Sequence, residues 1–263
     1  MTAPPLVLIT GASSGIGQAL ALRYHRAGWR LALVARQADA LRQWAASQGL
    51  VGDGRAGAVA VYAADVRDVP AITAAGRACI AAQGLPDVVI ASAGISIGMD
   101  TADLADLDVM RATFETNTLG MAATFQPFVA AMRLRGSGAL VGVASVAGIR
   151  GLPGHGAYCA SKAAVIAYCE SLRGECRPFG VKVTTLLPGY IDTPLTRRNR
   201  YAMPFLRSAE AFADRAFRSI SAGQRYRVIP WQMGVVAALM RALPDALFDR
   251  LFAGRARKRR LNE

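Results

Sequence analysis

The chain has few of the residues that bind metals, build disulfide frameworks or cross membranes. Its 263 residues include four cysteines and two histidines, which form neither a Cys-x-x-Cys pair nor a His/Cys cluster. We therefore expect no metal site, and we expect the thiols to be free in a reducing cytoplasm. The opening MTAPP lacks the basic segment of a secretion signal. No run of about 18 apolar residues occurs, so no spanning helix is expected.

Acidic residues are scarce: 18 Asp and Glu stand against 31 Lys and Arg, for a net charge of +13. Residues 195–263 alone hold 15 of the basic residues and only five acidic ones. A basic region of this kind is typical of contact with an anionic partner, such as membrane lipid, an acidic carrier protein or an anionic substrate. The alternative interpretation, that the arginine-rich composition serves solubility alone, is equally open. Nucleic acid is not an expected partner, because no recognised binding module or aromatic stacking platform is present.

Short apolar runs alternate with longer stretches of helical pattern. The runs that predict strands are Leu6–Ile9, Leu31–Ala35, Val59–Ala63, Val88–Ala91, Leu140–Ala144, Val181–Leu187 and one that begins near Tyr226. Near-continuous apolar strands are typical of a parallel sheet that helices cover on both faces. The pattern predicts an α/β fold, a Rossmann-type doubly wound parallel sheet of about seven strands, in a single domain over residues 1–254. Within it, 189–225 is the predicted substrate-binding loop, and a mobile basic tail follows over 255–263.

A glycine-rich turn, TGASSGIG, follows the first predicted strand and opens the first predicted helix. Gly11 permits the sharp turn, Gly15 lets the backbone approach a pyrophosphate, and Gly17 lets the helix pack closely on the sheet. The free N–H groups and the dipole of a helix N-terminus favour such an anion. The turn predicts dinucleotide binding by Gly11, Ser13, Ser14, Gly15, Ile16 and Gly17.

Further along the chain, three residues together predict acid–base chemistry. Tyr158 and Lys162 are four residues apart and share one helix face. A tyrosine with a pKa near 10 is a poor base at neutral pH, and we expect the nearby ammonium of Lys162 to lower that pKa. Ser145 follows a strand, at the sheet edge where ligands bind in open α/β folds, and can donate to a substrate oxygen. Each of these patterns, taken alone, is common in unrelated proteins. Because they occur together and in this order after the glycine turn, they predict a catalytic group.

Together these motifs resemble the short-chain dehydrogenase/reductase (SDR) family, in its short single-domain branch with TGxxxGxG and YxxxK motifs. The resemblance extends across nearly the whole chain. Further matching motifs are Asp65-Val66, Ser92-Ala93-Gly94, Asn117 and Pro188-Gly189. The family usually has Asn where this chain has Ser92. Because serine can also hydrogen-bond at that turn, we expect a local adjustment and no loss of function.

The resemblance implies an oxidoreductase that transfers hydride between a nicotinamide and a carbonyl carbon while Tyr158 protonates the oxygen. It implies that Asn117 supports a water link from Lys162 to solvent, whereas the residues alone predict only a helix kink or cap there. The positions that it places around the cofactor, besides the glycine turn, are Asp65, Val66, Ser92, Ala93, Gly94, Tyr158, Lys162, Pro188, Gly189, Ile191 and Thr193. It also implies a homodimer or homotetramer.

The end of the second predicted strand bears on the choice of cofactor. Enzymes that use NAD place a carboxylate there to bind the ribose 2′-hydroxyl, and Ala35 offers none. Arg36 instead offers a guanidinium suited to a 2′-phosphate. The pattern predicts NADP(H) rather than NAD, the alternative being a solvated arginine in an arginine-rich chain.

Three functions remain open for this site. The first is reduction of a lipophilic ketone, such as a long-chain, sphingoid or steroid-like carbonyl; the second is reduction of a 3-oxoacyl thioester on coenzyme A or an acidic carrier protein. The third is a non-catalytic NADP-binding scaffold or sensor, against which the intact Ser145, Tyr158 and Lys162 argue. Arginines that could dock an anionic carrier are Arg197, Arg198, Arg200, Arg207, Arg215 and Arg218.

The predicted loop contains an amphipathic pattern over Ser208–Ser221. We expect a helix here that forms a lid, with its apolar face either over the active site or packed on the domain. His155 lies near the predicted mouth of the site, where it either contacts the substrate or is a loop histidine with its own partners.

The C-terminal sequence predicts a short helix after Pro244. Its Leu247, Phe248, Leu251 and Phe252 share one side, and a basic cluster follows from Arg255. Such a helix can lie on an anionic membrane, so the prediction is a cytoplasmic protein with a peripheral membrane contact. The alternative is that the apolar side packs on the domain and the basic tail is solvated.

Overall fold

The computed structural model describes residues 3–50, 58–197, 199, 201–254 and 257–260. Nine strands occur among them: β1 (Leu6–Thr10), β2 (Arg30–Ala35), β3 (Val59–Ala63), β4 (Val88–Ala91), β5 (Ala139–Val143), β6 (Lys182–Pro188), β7 (Ile191–Asp192), β8 (Arg207–Ser208) and β9 (Tyr226–Ile229). Seven of them form one parallel sheet in the order β3-β2-β1-β4-β5-β6-β9, and β7 pairs with β8. The chain order reverses between β1 and β4, so helices cover both faces, and the predicted doubly wound fold is confirmed.

Nine α-helices alternate with these strands in the described residues: α1 (Gly15–Arg26), α2 (Ala38–Ser47), α3 (Val69–Gln83), α4 (Asp106–Phe114), α5 (Gly120–Arg135), α6 (Gly156–Cys176), α7 (Ala209–Ser221), α8 (Trp231–Ala242) and α9 (Asp245–Phe252). A π-helical turn, Glu115–Leu119, joins α4 to α5, and 3₁₀ turns lie at Val146–Gly148 and Arg177–Phe179. None of the helices within the described ranges is long and apolar enough to cross a membrane.

Apolar residues pack on each face of the sheet. On one face, α3, α5 and α6 cover the strands with buried side chains that include Ile72, Phe125 and Val165. On the other face, α1, α2 and α7 contribute Leu20, Leu41 and Phe212 among others. Because the core continues across both faces, the central strands are wholly buried, as their unbroken apolar sequences predict.

Helix α7 forms where the amphipathic pattern predicts it, but it is not a lid. Ser208 caps its first turn by accepting a hydrogen bond from the N–H of Ala211 at 3.2 Å. Its apolar side chains Phe212, Ala216 and Ile220 are buried in the core against α1. An ion pair between Arg23 of α1 and Asp214 of α7 adds to this contact. The helix packs on the domain because its apolar face fills the space beside α1, so the prediction of a lid over the active site is wrong.

The predicted C-terminal helix is present as α9 and packs on the domain through one aromatic side chain. Phe248 is buried and stacks on Phe252 with ring centroids 4.4 Å apart. The guanidinium of Arg150 lies 3.9 Å from the centre of the Phe248 ring. Leu247 and Leu251 remain exposed, and contact of this helix with an anionic membrane stays a prediction.

The described part of the basic tail is fixed by contacts with the domain, so the prediction of a mobile tail is wrong for residues 257–260. The carbonyl of Arg259 accepts a hydrogen bond from Gly98, and Arg260 pairs with Asp103 and Asp106. Such paired charges hold a chain end that would otherwise be solvated. Arg198, Arg200 and Arg255 lie outside the described residues.

Candidate active site

The carboxyl ends of β1, β4, β5 and β6 meet at one edge of the sheet, because these strands are parallel neighbours. A cavity of about 280 Å³ lies along this edge. The structure brings every predicted cofactor residue to its wall: Gly11, Ser13, Ser14, Gly15, Ile16, Gly17, Arg36, Asp65, Val66, Ser92, Ala93, Gly94, Tyr158, Lys162, Pro188, Gly189, Ile191 and Thr193. In open α/β sheets, this edge beside the point of chain reversal is where ligands bind.

The start of α1 fits a pyrophosphate. Ser14 is the residue before the helix, and its side chain does not cap the first turn, which also contains no acidic residue. The N–H groups of that turn are therefore available to an anion at the positive end of the helix dipole. A side chain at Gly17 would collide with the carbonyl of Gly11, so only glycine lets the turn fold this tightly. These features match the group that a dinucleotide would place there.

The opposite end of the cavity carries two arginines. Arg36 is exposed at the end of β2, as predicted, and Ala35 beside it offers no carboxylate. Arg67, which was not predicted, also lines the cavity and pairs with Asp65 at 2.7 Å. This pairing holds the pKa of Asp65 below its usual value, so the carboxyl is ionised and its charge is offset at the cavity wall. The spacing Asp-Val-Arg after a strand was the only signal that could have indicated Arg67.

Ser145 and Tyr158 come together where the structure joins β5 to α6. Ser145 is buried directly after β5, and its hydroxyl accepts a hydrogen bond from the N–H of Ala147 at 3.2 Å. Tyr158 lies in the first turn of α6. Burial raises the pKa of the Tyr158 phenol above 10, while a hydrogen bond from the Ser145 hydroxyl acts in the opposite direction. The phenol is therefore protonated at neutral pH and can donate a proton.

Lys162 lies one turn further along α6 and is almost fully buried. Its ammonium donates a hydrogen bond to the carbonyl of Val143 at 2.8 Å and lies 5.9 Å from the centre of the Tyr158 ring. Burial lowers the pKa of Lys162 from 10.5 to about 8. The net direction of the Tyr158 pKa is therefore upward through burial, whereas the sequence predicts a lowering by Lys162.

Asn117 lies behind the cavity wall rather than on it. It sits in the π-helical turn Glu115–Leu119, in agreement with the irregular helix that the residues alone predict. Its amide donates to the carbonyl of Ile95 and to the hydroxyl of Ser161, both at 3.0 Å, and its oxygen accepts from the N–H of Ile95 at 2.8 Å. These bonds fix the segment after β4 against α6. The predicted water link to Lys162 stays a prediction.

A second cavity, of about 560 Å³, opens on the far side of Ser145 and Tyr158. Ser145 and Tyr158 line both cavities. Apolar residues of its wall include Val146, Leu152, Met233, Val236, Met240, Leu243, Leu251 and Phe252. The loop 189–225, where the sequence predicts substrate contacts, also supplies Leu195, Tyr201 and Pro204 to this wall, whereas the contribution of α8 was not predicted. The spacing of Met233, Val236 and Met240 on one helix face was the available signal.

His155 lines the second cavity and has partners within the protein. Its Nδ1 lies 3.2 Å from the carbonyl of Pro153, and its Nε2 lies 3.4 Å from the hydroxyl of Tyr201. Burial lowers the pKa of His155, so the ring is neutral at neutral pH. The alternative of a loop histidine with its own partners is therefore the one that these contacts support, and contact of His155 with a substrate stays a prediction.

Two cavities meet at a serine and a tyrosine, and one of them is fitted to a dinucleotide. This arrangement suits an oxidoreductase whose dinucleotide cofactor supplies the redox chemistry. Comparison with known proteins agrees. The family described as short chain dehydrogenase matches residues 5–203. The chain belongs to the short-chain dehydrogenase/reductase family.

Several curated relatives are similar over most of their length. An uncharacterized oxidoreductase of Myxococcus xanthus is 38% identical over 245 residues, which is 92% of this chain and 94% of the relative. Dehydrogenase/reductase SDR family member 7B of Bos taurus is 34% identical, over 97% of this chain and 82% of the relative. A putative ketoacyl reductase of Streptomyces coelicolor is 33% identical, over 83% of this chain and 84% of the relative.

Solved structures share the fold. A short-chain dehydrogenase from Sphingobium yanoikuyae in complex with NADPH has a TM-score of 0.75 at 27% identity, with 92% of this chain and 97% of that chain covered. A family member from Burkholderia phymatum in complex with NAD has a TM-score of 0.79 at 23% identity, with 90% and 92% covered.

Proposed function

We propose that the protein is an NADP(H)-dependent reductase of lipophilic ketones, or in reverse a dehydrogenase of the corresponding secondary alcohols. One observation carries the proposal: Ser145 and Tyr158 are shared by a cavity fitted to a dinucleotide and by a larger apolar cavity. A carbonyl held in the second cavity would reach both hydroxyls and the edge of the first cavity. This is the meeting point that transfer between a cofactor and a ketone requires.

The protein's own residues supply the polar part of the reaction. The bound nicotinamide would provide or accept the hydride. The Ser145 hydroxyl orients the carbonyl oxygen by donating a hydrogen bond to it, and the Tyr158 phenol delivers the proton as the alcohol forms. Because burial keeps Tyr158 protonated and makes Lys162 give up its proton at about pH 8, α6 carries an acid and a group that can exchange a proton with it.

The preference for NADP(H) over NAD(H) rests on charge at the adenosine end. Arg36 follows β2 with an exposed guanidinium, while Arg67 on the same wall is paired with Asp65. A 2′-phosphate would meet positive charge at this position, whereas the hydroxyl of NAD would find no carboxylate at Ala35. The carboxylate of Asp65 is engaged by Arg67 and does not serve that role.

The apolar wall supports a lipophilic substrate. Helices α8 and α9 present Met233, Val236, Met240 and Phe252 to the second cavity. Burying apolar substrate surface against such side chains contributes roughly 25 cal/mol per Å². Polar groups near the reacting end, including His155 and Tyr201, would fix the orientation of the carbonyl.

The test is a panel of aliphatic, sphingoid and steroid-like ketones, followed by the absorbance of NADPH and, separately, of NADH. We expect kcat/KM to rise with the apolar area of the ketone and to be at least tenfold higher with NADPH, about 1.4 kcal/mol. Small polar ketones of equal reactivity are the matched control substrates. A preference for NADH, or the absence of turnover across the panel, would contradict the proposal.

A second candidate is reduction of 3-oxoacyl thioesters, favoured by the likeness to a putative ketoacyl reductase of Streptomyces coelicolor. A coenzyme A or carrier-protein substrate would bring negative charge to the basic loop after β7. Of its arginines, Arg197 is paired with Asp192 at 2.7 Å, while Arg215 and Arg218 lie on the far helix α7. Adding 3-oxoacyl thioesters to the panel decides between the two, since this candidate requires them to exceed the free ketones in kcat/KM.

A further inference from the structure

The C-terminal segment 257–260 crosses the molecule beside the second cavity. Its backbone lies against the loop after β4, where the N–H of Gly98 donates to the carbonyl of Arg259 at 2.9 Å. A side chain at Gly98 would collide with the carbonyl of Lys258, so the contact requires glycine there. On the other side, the side chain of Arg257 covers Gly154 in the loop before α6. The segment therefore bridges two loops.

Arg260 anchors the end of this segment to two carboxylates. Its guanidinium pairs with Asp103, and its Nε lies 2.8 Å from Oδ2 of Asp106. Asp106 is a buried residue at the start of α4, and the same oxygen accepts a hydrogen bond from the N–H of Asp100 at 2.6 Å. One carboxylate thus holds both the loop after β4 and the C-terminal segment. A carboxylate fixed in this way loses little side-chain entropy on pairing, unlike an exposed one.

Both loops that the segment bridges belong to the second cavity. Ser96 comes from the loop after β4, Leu152 and Pro153 come from the loop before α6, and Lys258 contributes a side chain from the segment itself. The amine of Lys258 lies 3.5 Å from the carbonyl of Leu195, on the opposite rim. The C-terminal segment is therefore a wall of the cavity that reaches across to the loop after β7.

We propose that residues 257–260 form a strap that completes the substrate cavity, and that Arg260 is the positioning residue that holds the strap through Asp103 and Asp106. The proposal rests on the proposed function, in which this cavity receives the ketone. When the pairing is lost, the strap leaves the rim and the cavity opens to water. Substrate binding weakens, while the cofactor cavity, which none of these four residues lines, is unaffected.

The kinetic test compares Arg260→Gln with Arg250→Gln, which removes an exposed arginine of α9 that lines neither cavity. For Arg260→Gln we expect KM for the ketone to rise about three- to tenfold, with kcat and KM for NADPH within about twofold of the wild type. Arg260→Lys keeps the charge and should recover part of the loss. Arg250→Gln should match the wild type. An unchanged ketone KM in Arg260→Gln, or equal effects of the two variants, would overturn the proposal.

Hydrogen exchange provides a readout that does not depend on turnover. The N–H of Gly98 is protected when it donates to Arg259, so a peptide that contains Gly98 should exchange faster in Arg260→Gln than in the wild type or Arg250→Gln. If no ketone is reduced by the wild type but this exchange still accelerates, the proposed function fails and the strap stands. If exchange at Gly98 is the same in all three proteins, the strap itself is refuted.

Discussion

Replacing Lys162 with methionine should change the stability of the protein in a pH-dependent way. Burial lowers the pKa of this amine from 10.5 to about 8. Below about pH 8, the folded protein carries a buried ammonium that the unfolded chain leaves in water. Methionine has a similar length and no charge, so Lys162→Met removes that cost. It also removes the hydrogen bond to the carbonyl of Val143.

The magnitude follows from the two pKa values. Their difference of about 2.5 corresponds to about 3 kcal/mol of unfavourable free energy for the buried charge at neutral pH. Without the Lys162 ammonium, the buried carbonyl of Val143 has lost this hydrogen bond, which costs about 1–3 kcal/mol. Set against the gain of about 3 kcal/mol, this leaves the variant about 0–2 kcal/mol more stable than the wild type at pH 7. Between pH 8 and 10.5 the folded lysine has lost its proton while the unfolded lysine retains it, so wild-type stability rises with pH.

Urea denaturation at pH 7 and pH 10 measures this effect. Integrated between those values, the free energy of unfolding of the wild type should gain about 2.5 kcal/mol relative to Lys162→Met. Other titrating groups are common to both proteins and cancel in the comparison. Lys182→Met, at the exposed first residue of β6, is the control for replacing a lysine by methionine outside the site. A wild-type-to-variant difference that does not change with pH would refute the reasoning.

Three further variants test separate parts of the site. Tyr158→Phe removes the proton donor but keeps the ring, so ketone reduction should fall at least about a hundredfold while NADPH still quenches protein fluorescence; near-normal turnover would contradict the role of Tyr158. Arg36→Ala should raise KM for NADPH at least about tenfold with little change for NADH, and equal changes for the two cofactors would exclude a phosphate contact. Arg150→Met removes hydrogen bonds to the carbonyls of Met240 and Leu243, so the free energy of unfolding should fall by about 1–3 kcal/mol in urea, whereas an unchanged midpoint would show that α8 and α9 do not depend on this arginine.

The fold could be predicted from the sequence because its strands are buried on both faces. The runs Leu6–Ile9 and Val88–Ala91 are wholly buried in the structure, which reproduces their bounds to within one residue. The glycine turn and the residues that follow β4, β5 and β6 are likewise local features, and parallel pairing carries them to one edge. Their meeting at this edge follows from the parallel order of the strands, so it can be predicted without knowing any contact between distant residues.

Long-range packing decided what could not be predicted. The amphipathic face of α7 is equally suited to a lid and to the core, and only the space beside α1 selects the core. The direction of the Tyr158 pKa depends on how deeply α6 is covered, which spacing does not reveal. The contacts of Arg260 with Asp103 and Asp106 join residues more than 150 positions apart. Sequence showed a basic tail there, and basic tails are usually solvated.

The chemistry and one side of the substrate cavity come from different parts of the chain. Every residue that touches both cavities, including Ser145, Tyr158 and Gly189, falls within the region that matches the family, which ends at residue 203. The apolar wall from Met233 to Phe252 and the C-terminal segment fall beyond it. Because the wall packs on the site without supplying its acid or its cofactor contacts, it can vary without loss of the reaction. Differences in substrate among related chains should therefore follow the C-terminal third, which supplies the α8 and α9 side of the second cavity.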